Sequence, residues 1–235
     1  MGGSNNAISP VQSPAMRITL PSGTAAELAT PSSGAEPTRG LVIIPDIGSL
    51  RPLFEEMAQR LADENGWAVC TFDLWAGRPD VNTLQDRLAK GGLLDDDRIL
   101  GDAAAAADAT GCAEVAVTGF CMGGMYALKA AGTGRYVRAV SFYGMARIRP
   151  DWQGPTQGEP LAALASPQAC PALELVGTAD AWVPEEDIAA LRDAGVEVVT
   201  YEGADHGFVH DPSRPTHRAD DAADAWRRAI AHLAG

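Results

Sequence analysis

The chain has 235 residues, 46% of them apolar and 21% charged, and a formal net charge of -13 at pH 7. That length supports one α/β domain with a full core. The acidity speaks against a nucleic-acid partner, because phosphate binding needs clustered Lys and Arg. No apolar run approaches the roughly 20 residues of a membrane span.

Residues Met1 to Ala15 are rich in Gly, Ser, Asn and Pro and lack the charged start and apolar centre of a signal peptide. They read as a flexible N-terminal tail (1–15) ahead of one domain over 16–235. Arg17 to Leu28 suggests a short antiparallel hairpin at a sheet edge. Leu41 to Pro45 reads as a buried strand. Pro52 to Asn65 reads as a helix, with Leu53, Met57 and Leu61 at helical spacing and Pro at its start. Trp67 to Phe72 is the next strand, and a long segment then leads into an alanine-rich helix over Asp95 to Ala109. Val115 to Thr118 is a short buried strand, and Met125 to Ala130 is helical. Val137 to Tyr143, Leu173 to Val176 and Val196 to Tyr201 are further strands. Glu185 to Ala194 is a helix with acids in its first turn. His217 to Ala234 closes the chain as a helix with one apolar face. The Pro- and Gly-rich stretch Arg149 to Pro160 reads as a surface loop at the rim of a site. Repeated strand–helix alternation predicts a mainly parallel sheet with helices on both faces, the α/β class.

The four cysteines, Cys70, Cys112, Cys121 and Cys170, form no CxxC pair and no metal-ligand spacing. Cys70 and Cys170 read as buried thiols, and the compartment as reducing, hence cytoplasmic. Cys121 differs. It sits in Gly119-Phe120-Cys121-Met122-Gly123-Gly124, between a strand and a helix, which is the setting of a nucleophile elbow. A thiol beside a helix N-terminus is favoured as the reactive thiolate.

In open parallel sheets, ligands bind beyond the carboxyl ends of the strands. Cys121, Asp180 and His206 each follow a predicted strand, in the order nucleophile, acid, histidine. His206 would take the thiol proton and return it to a leaving alkoxide, while Asp180 fixes the imidazole tautomer. Asp205 competes with Asp180, but its adjacency to His206 points the two side chains apart. His210 and His217 compete with His206. The N–H groups of Met122 and Ile47 are the expected oxyanion donors.

The motifs around Cys121, Gly177-Thr178-Ala179-Asp180 with Val183-Pro184, Asp205-His206-Gly207-Phe208 and Phe72-Asp73-Leu74-Trp75 with Gly77-Arg78 together resemble the dienelactone hydrolase family. The resemblance runs from about Gly40 to Leu233. It implies an α/β-hydrolase fold and a Cys-Asp-His triad that cleaves lactones or small esters through a thioester, without cofactor or metal. It also implies a thiol switched on by substrate. Asp46 stands where the family's switching glutamate does, one methylene shorter and in a spacing one residue shorter. The family's two carboxylate-binding arginines fall at Gly77, with Arg78 beside it, and at His210. Forked donors are therefore lost, which points away from dienelactone itself. Trp75, Trp152, Trp182 and Phe208 are candidates to line a more apolar pocket. The expected partner is a small-molecule ester or lactone, on a monomer or homodimer. A catalytically silent binding or thiol-sensing protein on the same scaffold stands as the alternative.

Overall fold

The computed structural model describes residues 15–235, so the tail expected over 1–15 lies outside the described residues except for Ala15. Runs that are apolar on both faces become the central strands. β3 (Gly40–Ile44), β4 (Ala68–Phe72), β5 (Val115–Phe120) and β6 (Ala139–Phe142) are buried along their whole length. β7 (Ala172–Gly177) is equally buried, while β8 (Glu197–Tyr201) is partly exposed at the edge. β1 (Met16–Thr19) and β2 (Ala25–Ala29) form the expected hairpin at the opposite edge.

The eight strands lie in the order β1-β2-β4-β3-β5-β6-β7-β8. The hairpin joins β4 antiparallel, and every pairing from β4 to β8 is parallel. Strand order therefore reverses at β3. The chain first steps to β4 on one side and then crosses to β5 on the other. A crevice opens at such a switch point, beyond the carboxyl ends of the strands. Ile44 is in register with Gly119 there, so the loops leaving β3 and β5 start side by side.

α1 (Pro52–Asn65) and α7 (Ala219–Ala234) share one face, where Arg60 lies over the Trp226 ring. α3 (Asp96–Ala109), α4 (Met122–Ala131) and α5 (Pro160–Leu164) pack on one another over the other face. α6 (Glu185–Asp193) packs against β8. α7 starts two residues later than expected. The long segment after β4 contains α2 (Leu84–Ala89), which the sequence reading left unassigned. Its signature was available: Thr83 and Asp86 form a reciprocal capping box.

Residues 149–160 lie at the surface as expected, with most of them exposed, and the segment is strapped down at several points. Pro150–Trp152 forms a 3-10 turn. The Trp152 indole is 1% exposed and donates to the Leu88 carbonyl at 2.8 Å. Gln157 donates to the carbonyls of Gly91 and Leu94, and Gly158 N–H donates to Asp96. Buried Lys129 bonds both oxygens of the same Asp96, at 2.9 and 3.0 Å.

Candidate active site

The turn after β5 is strained in the manner of a nucleophile elbow. Cys121 has φ 57° and ψ -117°, a region costly for any residue with a Cβ. Two glycines make the turn possible. A Cβ on Gly119 would lie 2.0 Å from the Gly123 carbonyl oxygen, and one on Gly123 would lie 2.1 Å from that of Ile44. β5 can thus run directly into α4, with Cys121 at the cap and Met122 as the first helical residue. The N–H of a first-turn residue has no partner within its own helix.

Asp180 lies three residues beyond β7 and His206 five beyond β8. His206 Nδ1 donates to Asp180 Oδ2 at 2.7 Å, and the Asp180 side chain is fully buried. Asp180 Oδ1 accepts the Trp182 N–H, which fixes the carboxylate. Asp205 instead caps the backbone N–H of His206. The other ring nitrogen, His206 Nε2, is buried without a hydrogen-bond partner among the described residues. It falls short of a formal bond to Cys121, yet the thiol is near enough to act on the imidazole. Burial opposes the imidazolium, but the charge of Cys121 and the bonds and charge of Asp180 outweigh it and raise His206 to about 10. Trp182 stacks on the imidazole with ring centroids 5.3 Å apart, and Tyr143 meets it edge-on at 5.1 Å.

Ile47 lies in the loop after β3, and that loop is held at many points. The Trp75 indole N–H donates to the Ile47 carbonyl at 2.9 Å, and Arg87 donates to the Gly48 carbonyl. Ser49, at φ 61°, donates to Asp73 and accepts the Leu74 N–H. Trp75 is therefore a buried brace for this loop rather than a free pocket wall.

Asp46 caps its own loop and is bound on both oxygens. Its Oδ1 accepts from Gly48 N–H at 2.8 Å and Arg51 Nη1 at 2.6 Å. Its Oδ2 accepts from Arg51 Nη2 at 2.9 Å and His210 Nε2 at 2.8 Å. Burial opposes its charge, but the bonds from His210 and Arg51 hold the carboxyl well below the usual range. Four donors occupy the two oxygens, which leaves this carboxylate poorly placed to take a proton from a thiol. His210, expected as a substrate contact, is buried between Asp46 and Tyr143.

Of the aromatic candidates, only Trp182 keeps appreciable exposure. Phe208 is fully buried against Tyr143 and Tyr201. Trp152 supports Trp182 from behind, with centroids 5.6 Å apart. Arg78 is paired with Asp80. It lines a separate hollow with Asp73, Trp75 and Arg87, to which none of Cys121, Asp180 and His206 contributes.

Sequence reading missed four residues around the site. Tyr143 immediately follows β6 at the same sheet edge, a position that could have marked it. Arg51 and Arg87 carry no comparable signal. Glu174 sits inside β7, fully buried, and accepts the Gly144 N–H at 3.0 Å. Burial pushes its carboxyl well above the ordinary value.

Comparison with known proteins places these features in context. The model of the dienelactone hydrolase family matches residues 24–234. A Methylorubrum extorquens protein named a carboxymethylenebutenolidase is 30% identical over 220 residues, which cover 85% of this chain and 72% of that protein. A Bradyrhizobium protein named a 2-oxo-3-(5-oxofuran-2-ylidene)propanoate lactonase is 27% identical over 209 residues, 82% of each chain. A crystal structure from Klebsiella pneumoniae, titled as a dienelactone hydrolase, superposes with a TM-score of 0.80 at 26% identity. The match covers 94% of this chain and 98% of that one.

Proposed function

Because the chain belongs to the dienelactone hydrolase family and is an ester or lactone hydrolase, we propose that it works through Cys121, His206 and Asp180 by way of a thioester. The sulfur of Cys121 attacks the substrate carbonyl carbon as the thiolate, its proton already held on His206 Nε2. The carbonyl oxygen becomes an oxyanion, held by the N–H groups of Met122 and Ile47. Its collapse breaks the ester C–O bond, and His206 gives its proton to the departing alkoxide. Water then attacks the thioester with His206 as base, releasing the carboxylic acid and restoring the thiol.

The observation that carries this reading is the bond of His206 Nδ1 to Asp180 Oδ2 at 2.7 Å, with Nε2 buried and, among the described residues, without a hydrogen-bond partner on the Cys121 side. A silent scaffold has no use for an imidazole oriented at one nitrogen and left open at the other. The substrate we infer is a small ester or lactone that relies little on a carboxylate contact. His210 and Arg78, at or beside the family's arginine positions, are committed to Asp46 and Asp80.

A panel of lactones, short and long acyl esters and thioesters tests the proposal with wild type, Cys121→Ala and Cys121→Ser. Hydrolysis by wild type, with a trapped acyl-thioester and an inert Cys121→Ala, supports it. Equal turnover by Cys121→Ala would assign the chemistry elsewhere.

A further inference from the structure

Two imidazole–carboxylate pairs stand in this protein, with their histidines four residues apart. His206 and Asp180 face the thiol. His210 and Asp46 belong to a second chain that runs from Arg51 through Asp46 and His210 to Tyr143. Tyr143, His210 and Asp46 are 0%, 4% and 6% exposed.

The directions of these bonds follow from charge. Asp46 is ionised between Arg51 and His210, so His210 Nε2 must carry the proton it donates at 2.8 Å. Burial disfavours a second proton on the ring, so Nδ1 accepts. The Tyr143 hydroxyl then donates to it at 2.5 Å. Each member has a partner, and losing one leaves a buried donor or acceptor unpaired. The rings of Phe54 and Phe120 enclose His210 and leave it little room to reorient.

The ends of this chain lie on two of the loops that build the site. Asp46 immediately precedes Ile47 and also holds the Gly48 N–H. Tyr143, at φ 44°, follows β6 directly and touches the His206 ring. We infer that Tyr143, His210 and Asp46, closed by Arg51, are positioning residues that lock the Ile47 N–H in place as an oxyanion donor before substrate arrives. This rests on the reading of Cys121 as nucleophile and Ile47 as donor. The chain acts on the oxyanion and leaves thiol activation to His206 and Asp180.

Two probes separate those roles. Iodoacetamide alkylates the sulfur by displacing iodide and forms no oxyanion. A trifluoromethyl ketone analogue of the substrate takes the sulfur at its carbonyl carbon, with the thiol's proton held on His206 and an oxyanion forming. Tyr143→Phe keeps the ring and removes only the hydroxyl. We expect it to weaken ketone binding about 10-fold or more and to lower kcat at nearly constant KM. Cys121 alkylation should stay within about twofold of wild type. His210→Leu should behave alike, and His210→Gln, which can still donate and accept, should recover most of the ketone affinity. Unchanged ketone binding in Tyr143→Phe overturns the inference, as does a parallel fall in ketone binding and alkylation. If His210→Leu does not fold, Tyr143→Phe decides alone. A wild-type Cys121 that neither alkylates faster than free cysteine nor cleaves any ester instead overturns the catalytic reading beneath it.

Discussion

Trp75 donates its indole N–H to the carbonyl oxygen of Ile47 at 2.9 Å, across 28 positions of sequence. The bond joins the segment after β4 to the loop after β3. It fixes the peptide plane next to the one that carries the proposed oxyanion donor.

Trp75→Phe tests that brace. It keeps most of the buried ring and deletes one hydrogen bond, worth about 1 kcal/mol in net terms. The expected result is a kcat lower by about fivefold to tenfold with little change in KM, read by steady-state hydrolysis. A change confined to KM would place Trp75 in substrate binding instead.

His206 gives a pH prediction. Its folded pKa, about 10, lies above the ordinary 6.5. The protonated ring therefore adds stability that is fully present below about 6.5 and is lost as pH rises towards 10. The melting-temperature gap between wild type and His206→Asn should narrow across that interval. In a Cys121→Ala background, where the thiolate contribution is gone, the dependence should be weaker. A gap of constant size from pH 6 to 10 would contradict the coupling.

Glu174 predicts the response of a buried acid. Burial raises its folded pKa well above 4.5, so folding favours the neutral form. Its contribution is present below 4.5 and lost as pH rises towards the folded pKa. Glu174→Gln is neutral at every pH and keeps an oxygen for the Gly144 N–H. Relative to wild type, its urea midpoint should therefore rise between pH 4 and pH 8. A midpoint difference that stays flat over this range would mean that Glu174 ionises within the fold.

Gly123 and Gly101 make a paired test. A Cβ at Gly123 would meet the carbonyl oxygens of Ile44 and Pro45 at 2.1 and 2.2 Å. Gly123→Ala should cost about 3 kcal/mol or more, or abolish soluble expression. Gly101 lies exposed inside α3, where a Cβ would meet nothing within 4 Å. Gly101→Ala should add about 0.5–1 kcal/mol, measured by chemical denaturation.

The sheet was readable because its central strands are apolar on both faces and helices intervene between them. The hairpin and the positions of Cys121, Asp180 and His206 at one edge followed from the same pattern. Local periodicity could not report what a side chain does once long-range contacts form. Trp152, Trp75 and Phe208 are aromatic residues near the site by sequence, but each meets a partner brought close only by the tertiary fold. Asp46 was found by position and its partners were not, because Arg51 and His210 reach it from α1's cap and from the far end of the chain. α2 was overlooked because its six residues bury none of their side chains, so no apolar stripe announced it.

The strap over residues 150–158 has a thermodynamic consequence. Swinging it open would withdraw the Trp152 indole from a seat where it is 1% exposed and bonded to Leu88. Ordering a chain costs about 1–2 kcal/mol per residue in backbone entropy, and here that ordering is completed during folding. A molecule arriving beside Trp182, which Trp152 supports, gives up none of its binding free energy to immobilise this wall. Differences in affinity among substrates should then report how they fit a fixed surface, with little contribution from how well each one tames a moving loop.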